Sequence, residues 1–224
     1  MKIWIASAHA PTIASLLWIP LEGIITNPTV LLQAGPDWRA TVETLARYDF
    51  GEKQPLERVH LQALGVSAEE ICAEMRTCSE LLSPRRLICK IPAIAAGYEA
   101  LPHLLDEGMT VNVTAVCSIT QAQVALQGGA SYVSIYAARL NDFDDRGTAG
   151  YRLAEDIRAY IERNRLDAEL IAASIRDRAQ YEQVLRLGVD AVAAPPELLT
   201  QVLEHPLTES SVESFRTEWR ENVR

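Results

Sequence analysis

Short apolar runs rich in β-branched residues alternate along the chain with longer segments whose apolar residues recur every three or four positions. The longer segments predict amphipathic helices, for example over 67–82, where Ile71, Met75, Cys78 and Leu82 share one face. Further helices are predicted over 96–107, 118–127, 152–163 and 178–187. The apolar runs predict eight strands, over 2–6, 23–26, 58–63, 87–92, 110–116, 132–137, 169–174 and 191–194.

This alternation of strand and helix predicts an α/β protein with a parallel sheet. Glycines stand between several helices and the next strand, where a left-handed helix cap belongs: Gly108, Gly128, Gly129 and Gly188. Eight such units with strands apolar on both faces favour a single closed (β/α)8 TIM barrel over residues 1–205. The alternative, an open doubly wound sheet, usually carries a glycine-rich phosphate loop after its first strand, and residues 7–11 offer none.

Residues 206–224 predict an additional C-terminal helix that belongs to the same domain. Phe215 and Trp219 lie four positions apart and share one face of that helix. An aromatic face needs a partner, which is either the chain's own barrel or a neighbouring subunit. Of these two we expect the second, a homo-oligomer in which this helix lies at a subunit interface.

Composition and charge exclude several classes of protein. The 224 residues carry a formal net charge of -9, which argues against a nucleic-acid partner because such proteins need a basic face. No run approaches the roughly 18 apolar residues of a membrane span. The apolar stretch before residues 8–10 is shorter than the about 7–15 residues of a signal peptide. The sequence predicts a soluble, cytoplasmic protein without a membrane partner.

The cysteines and histidines give no sign of metal chemistry. Cys72, Cys78, Cys89 and Cys117 form no CxxC pair, and the four histidines are scattered. Cys89 and Cys117 lie in apolar runs, so both are predicted to be buried. We expect neither a metal site nor a cofactor.

The most informative residue is Lys90, which interrupts the apolar strand at 87–92. Desolvation disfavours the charged ammonium and lowers its pKa. A neutral amine attacks carbonyl carbons and forms a Schiff base. The alternative is a lysine whose stem lies along the strand while its ammonium reaches water. On the strand alone, both interpretations stay open.

Polar residues at the ends of other strands favour the first interpretation. In a (β/α)8 barrel, the carboxyl ends of the strands build the active site. Taken singly, these residues have ordinary structural roles as well; Asn27, for instance, could cap the following helix. The polar residues at strand ends are Thr26, Asn27, Gln62, Asn112, Thr114, Ser134, Tyr136, Arg139, Ser174 and Arg176.

Several of these motifs, in order and spacing, resemble the transaldolase family, and the compact fructose-6-phosphate aldolase-like branch above all. The resemblance implies a Schiff-base enzyme that acts on a small ketone and a sugar phosphate. It extends from the first strand to the C-terminal helix. The motifs that carry it are Thr26-Asn27-Pro28 and the segments 88–92, 112–114, 132–139 and 172–176.

The resemblance also implies a role for each matching residue. Lys90 matches the Schiff-base lysine, and Tyr136, Thr114 and Gln62 match groups that hold a catalytic water and move protons. The residues that match substrate-binding groups are Thr26, Asn27, Asn112, Ser134 and Ser174, together with the phosphate-binding Arg139 and Arg176. Transaldolases proper carry glutamate and phenylalanine where this chain has Gln62 and Tyr136, whereas Ser134 is typical of them.

One position departs from the family pattern. The first strand of the family ends in an aspartate that takes part in proton transfer, and the matching residue here is Ala6. Ile25 likewise stands where the aldolase branch often has a polar residue. Three functions remain open: an aldolase, a transaldolase that moves a dihydroxyacetone unit between sugars, and a sugar-phosphate-binding protein of reduced activity.

Overall fold

Eight parallel strands close into a barrel in the computed structural model, which describes residues 1–50, 58–83 and 86–223. Each strand pairs with its sequence neighbour, and β8 pairs with β1 to complete the ring. The strands are β1 (Lys2–Ile5), β2 (Gly23–Ile25), β3 (Val59–Gln62), β4 (Leu87–Pro92), β5 (Thr110–Val116), β6 (Tyr132–Tyr136), β7 (Glu169–Ala173) and β8 (Ala191–Ala194). The predicted (β/α)8 TIM barrel is confirmed.

Helices follow the strands and surround the barrel. Ser67, Ser118 and Asp177 each accept a hydrogen bond from a main-chain N–H of the first turn, so the helices after β3, β5 and β7 start at capped residues. The helices are α1 (Ala10–Ser15), α2 (Pro28–Ala34), α3 (Trp38–Arg47), α4 (Ala68–Leu82), α5 (Ala95–Asp106), α6 (Ile119–Gln127), α7 (Ala137–Asn141), α8 (Ala149–Asn164), α9 (Arg178–Arg186), α10 (Pro196–Gln201) and α11 (Pro206–Asn222).

The predicted glycine caps are confirmed at three positions. Gly108, Gly129 and Gly188 have φ of 74°, 93° and 68°, a conformation that side chains with a Cβ rarely adopt. Gly128 instead has φ of -73° and stays right-handed. The left-handed residue after α6 is therefore the second of the two glycines.

The inside of the barrel forms an apolar cluster separate from the larger core between barrel and helices. Trp4 is its largest member, and its ring lies against position 23, where any Cβ would come within 2.5 Å of the ring. Gly23 thus makes room for the indole. The His60 ring stands edge-on to Trp4, with ring centroids 4.3 Å apart. The floor beneath Lys90 is aromatic and densely filled.

A second close approach positions the strand that carries Lys90. A Cβ on Gly97 in α5 would lie 2.0 Å from the Pro92 carbonyl oxygen, so only glycine lets α5 pack directly on the end of β4. Cys89 in the same strand is buried, as predicted, but the prediction for Cys117 is wrong. Cys117 follows the last residue of β5, where the chain leaves the barrel and its side chain meets solvent.

Helix α11 confirms the predicted C-terminal helix, although none of its residues is buried. The side chains of Phe215 and Trp219 are 67% and 68% exposed, so the barrel of the same chain does not cover this face. Arg224, the last residue of the predicted helix, lies outside the described residues. Among the described helices, none is long and apolar enough to cross a membrane.

Candidate active site

Lys90 lies in the middle of β4 and points into the barrel. Its residue is only 3% exposed, and its Nζ donates a 3.0 Å hydrogen bond to the main-chain oxygen of Thr26 at the end of β2. Burial lowers the pKa of the amine from 10.5 to about 8. The ammonium therefore does not reach water, and about a tenth of the lysine side chains carry an uncharged amine at pH 7.

Strand register brings two of the predicted residues to the level of Lys90 and a third two positions closer to the carboxyl ends of the strands. Gln62 on β3 and Asn112 on β5 are the direct register partners of Lys90, and Thr114 pairs two positions further along β5. Gln62 Oε1 and Thr114 Oγ1 are both buried, and neither forms a hydrogen bond with a described residue. Buried polar atoms without a protein partner are the atoms that an ordered water or a ligand would satisfy.

A hydrogen-bonded chain of three side chains runs beside the amine. Ser134 Oγ donates to Asn112 Oδ1 over 2.9 Å, and the Asn112 amide meets His60 Nδ1 over 3.0 Å. All three residues are fully buried. Burial, and then the positive charges of Lys90 and Arg58, lower the pKa of His60 well below its usual value, so the imidazole stays neutral.

His60 did not stand out in the sequence, where it is one of four scattered histidines. The signal that could have found it is strand alternation, because His60 precedes Gln62 by two positions and the two side chains face the same way. Trp4 bears the same relation to Ala6. Both residues are therefore part of the barrel interior directly below the predicted site.

The cavity in front of the amine has a volume of about 160 Å³. It is bounded by groups from β2, β6, β7 and β8 and contains no carboxylate among the described residues. The predicted residues that line it are Lys90, Thr26, Asn27, Tyr136, Arg139 and Ser174. Ala6 and Ile25 form an apolar part of its wall.

Two of these residues, Asn27 and Ser174, have local features that bear on their role in the site. Asn27 Oδ1 accepts a 2.9 Å hydrogen bond from Val30 N and caps α2, which leaves the amide nitrogen of Asn27 for another acceptor. Ser174 has φ of 65°, which is unusual for a residue with a Cβ. Such strained residues concentrate at functional sites, where the surrounding fold holds them in place.

The two predicted arginines occupy different surroundings. The Arg139 guanidinium lies 4.6 Å from the centre of the Tyr136 ring and lines the Lys90 cavity. Arg176 does not line it; its guanidinium donates to Asp142 Oδ2 over 2.7 Å on the surface. Gln62 lines a different, mainly apolar cavity of about 220 Å³ behind α2 and α4. The predicted set thus surrounds Lys90 but does not line a single cavity.

Two curated proteins are similar in sequence to this chain over nearly its full length. The chain is 32% identical over 220 residues to a probable transaldolase of Roseobacter denitrificans, covering 98% of this chain and 96% of that protein. It is 30% identical over 220 residues to a probable transaldolase of Streptococcus equi subsp. zooepidemicus, covering 98% of each. These matches extend over nearly the full length of both partners.

A more distant similarity concerns the fold alone. The chain superposes on a chain of a cube-shaped, highly porous protein cage designed by fusing symmetric oligomeric domains, with a TM-score of 0.58 and 14% identity. That superposition covers 98% of this chain and 77% of the other. The family model described as Transaldolase/Fructose-6-phosphate aldolase matches residues 3–223. The chain belongs to the transaldolase/fructose-6-phosphate aldolase family.

Proposed function

We propose that this protein is a Schiff-base aldolase that joins or cleaves a dihydroxyacetone-like ketone and a phosphorylated aldehyde. The observation that carries the proposal is the amine of Lys90, which is buried, has a pKa lowered to about 8 and faces a polar cavity at the carboxyl ends of the strands. A lysine at an ordinary pKa of about 10.4 would be almost wholly protonated at neutral pH and unreactive toward a ketone.

The reaction begins with attack of the neutral amine on the carbonyl carbon of the ketone. The addition product loses one water and becomes a protonated imine, which draws electrons from the neighbouring carbon. Loss of a proton from that carbon gives an enamine, whose carbon adds to the aldehyde. Return of water breaks the carbon–nitrogen bond and releases both the product and the free amine.

Proton transfer in these steps is assigned to a water molecule and Tyr136. Gln62 Oε1 and Thr114 Oγ1 supply two buried polar atoms that form no hydrogen bond with any described residue, close to the register level of Lys90. The Tyr136 phenol lines the cavity, and a phenol can both donate and accept a proton. Asn27, Asn112, Ser134 and Ser174 are assigned to the hydroxyl groups of the substrate, with Thr26 holding the amine through its carbonyl oxygen.

Arg139 and Arg176 are assigned to the phosphate, because a guanidinium binds phosphate oxygens in a fork. We expect Arg139→Ala to raise KM for phosphorylated aldehydes by about tenfold or more, since a charge-assisted hydrogen bond contributes about 1.5–3 kcal/mol. Arg176→Ala is expected to act in the same direction. Steady-state kinetics with glyceraldehyde 3-phosphate and with glyceraldehyde measure the effect, and an equal loss on both would contradict a phosphate site.

Asp142 provides a matched control for Arg176. In the structure the Asp142 carboxylate accepts a hydrogen bond from the Arg176 guanidinium, so a phosphate must displace this carboxylate before it can bind there. Asp142→Asn removes the competing charge and should lower KM for the phosphorylated aldehyde, whereas Arg176→Ala should raise it. If both substitutions changed KM in the same direction, the pair would be structural.

The second candidate function is a transaldolase, which transfers the dihydroxyacetone unit without releasing it. The observation that favours it is Ser134, which is buried and hydrogen-bonded to Asn112, the register partner of Lys90. Time courses separate the two, because an aldolase releases free dihydroxyacetone from fructose 6-phosphate without an acceptor. A transaldolase releases almost none with or without an acceptor, and it turns over only when an acceptor aldehyde takes up the dihydroxyacetone unit.

Borohydride trapping tests the Schiff base directly. Imine formation loses one water and hydride then reduces the imine to a stable secondary amine, so the intact mass rises by that of the ketone less one oxygen atom, and peptide mapping locates the addition. We expect one adduct, in the peptide that contains Lys90. No adduct with any ketone, with sugar phosphates still bound, would favour a binding protein of reduced activity, and an adduct on another lysine would refute the assignment.

We further propose that the protein works in the cytoplasm as a homo-oligomer. Helix α11 supports the second part, since the exposed rings of Phe215 and Trp219 border the same shallow surface depression as Val212. Deletion of the residues after Pro206 should lower the molar mass measured by light scattering. The double substitution Phe215→Ser and Trp219→Ser should lower the molar mass in the same way without shortening the chain. A full-length protein that is already a monomer would contradict the proposal.

A further inference from the structure

A second cavity adjoins the Lys90 cavity at the mouth of the barrel, on the side formed by the residues that follow β1, β2 and β8. It encloses about 380 Å³, compared with about 160 Å³ in front of Lys90. Small-molecule sites typically enclose about 300–1,000 Å³. The space in front of Lys90 is therefore small for a sugar phosphate, whereas the two cavities together are of ordinary size.

The two cavities share a wall made of three small or rigid residues, Ala6, Val30 and Pro195. The main-chain N–H of Ala6 donates to the Ala194 oxygen, which holds this end of β1 against β8. Ala6 thus presents only a methyl group at the junction. A larger side chain at position 6 would project into it and separate the two spaces.

The wall of the second cavity contains a buried hydroxyl group for which the described part of the chain offers no acceptor. Ser7 is 9% exposed and lines this cavity, but not the one in front of Lys90. Its Oγ accepts a 3.2 Å hydrogen bond from His9 N, and among the described residues no acceptor takes the proton of its hydroxyl. This hydroxyl is therefore free to donate its proton to a ligand oxygen in the cavity.

Charge distinguishes the two ends of the combined space. Arg139 lines the Lys90 cavity and favours an anionic group there. Glu197 lines the second cavity together with His9 and the neutral groups of Thr12 and Gln33, and the Glu197 carboxylate disfavours a second anion at this end. The part of a substrate that occupies it must therefore be uncharged and able to form hydrogen bonds.

We propose that the second cavity binds a neutral, hydroxyl-bearing substituent of the ketone, and that Ser7 donates a hydrogen bond to it. The inference rests on the proposed Schiff base at Lys90. It makes the preferred ketone longer than a three-carbon unit. Ala6 is then a specificity-determining residue, because its size decides whether the substituent passes from one cavity to the other.

The test is a competition between two ketones for borohydride trapping on the full-length protein. Equimolar acetone and 5-hydroxypentan-2-one give adducts of different mass, so one intact-mass spectrum reports their ratio. We expect the longer adduct to exceed the acetone adduct by about fivefold or more, the factor that corresponds to one hydrogen bond. An equal yield of both adducts would overturn the proposal and leave the Schiff base at Lys90 standing.

Two substitutions and a matched control locate the effect. Ser7→Ala should reduce the preference for the longer ketone by about fivefold, and Ala6→Leu should bring the ratio close to one. Ser15→Ala makes the same chemical change on an exposed hydroxyl outside both cavities and should keep the wild-type ratio. A preference that survives both Ser7→Ala and Ala6→Leu would overturn the assignment.

A measurement that needs no covalent bond separates this inference from the proposed function. Saturation-transfer NMR measures the binding of 5-hydroxypentan-2-one to the Lys90→Met variant. Adding Ser7→Ala or Ala6→Leu to this variant should weaken that binding. If no ketone is trapped by the wild type but this dependence is observed, the Schiff base is refuted and the cavity is supported. If trapping occurs and neither substitution changes the NMR signal, binding of the substituent in the second cavity is refuted.

Discussion

Lys90→Met is expected to lower turnover by a factor on the order of 10⁶, the scale of loss when an enzyme of covalent mechanism loses its nucleophile. The thioether fills nearly the same volume as the lysine stem, so the barrel interior stays packed. The measurement is the single-turnover cleavage rate of fructose 6-phosphate. Lys90→Arg serves as the charged control, because an arginine side chain is always protonated and should be equally inactive.

The same substitution should stabilise the fold, which separates lost chemistry from lost structure. The pKa of Lys90 is about 8 in the folded protein and 10.5 unfolded, so folding disfavours the charged form. At pH 7 this costs about 3 kcal/mol, which methionine removes. Because the unfolded chain binds the extra proton, wild-type stability rises as pH increases from about 8 to 10.5, and the advantage of Lys90→Met shrinks over that window.

Denaturant unfolding of both proteins at pH 7 and at pH 10 checks this sign. The rate of imine formation by the wild type should rise about tenfold per pH unit below 8 and level off above it, as the neutral amine accumulates. A stability difference that is independent of pH, or an imine rate that still climbs steeply above pH 9, would contradict a desolvated amine at position 90.

Apolar patterning predicted the strands well where both faces are buried. β4, β5 and β8 begin and end at the predicted residues, and most of their side chains are buried even where a polar residue interrupts the apolar run. The predictions for β1, β2, β6 and β7 each extend one residue too far. Those extra residues, Ala6, Thr26, Ala137 and Ser174, lie where the chain turns away from the ladder toward the mouth, and pairing rather than hydropathy sets that limit.

The site itself was only partly predictable. The position of Lys90 in an apolar strand predicts a desolvated amine, and the lowered pKa of Lys90 agrees with that prediction. Which residues share its cavity depends on side-chain direction and on partners distant in sequence. The sequence pattern therefore did not predict the pairing of Arg176 with Asp142. It did not predict the hydrogen-bonded chain from Ser134 through Asn112 to His60 either.

Ala6→Asp is expected to raise the cleavage rate of fructose 6-phosphate by up to about 10²–10⁴-fold, the contribution typical of a positioned acid or base. The described residues that line the Lys90 cavity include no carboxylate, and Ala6 lies on its wall. The wild type should therefore form the imine readily but cleave the carbon–carbon bond slowly. A donor without the hydroxyl group that the family aspartate binds should be turned over faster.

Two opposing effects limit the gain from the new carboxylate. Ile25 borders the same wall, so the carboxylate must be solvated or paired before it can act. A negative charge near Lys90 also stabilises the ammonium and raises the pKa of the amine, which moves the midpoint of imine formation to higher pH. The rate should therefore be compared across pH 7 to 9 by coupled assay of glyceraldehyde 3-phosphate, with borohydride trapping to report imine formation separately.

Ala6→Asn is the matched control, since it has nearly the same size and cannot carry a proton away. It should form the imine as the wild type does at pH 7 and should not accelerate cleavage. If Ala6→Asp and Ala6→Asn behave alike, size at the junction of the two cavities and not proton transfer determines the rate. If wild-type cleavage is already fast and Ala6→Asp only slows it, another residue transfers the proton. Tyr136, which lines the cavity, is then the first candidate, and Tyr136→Phe tests it.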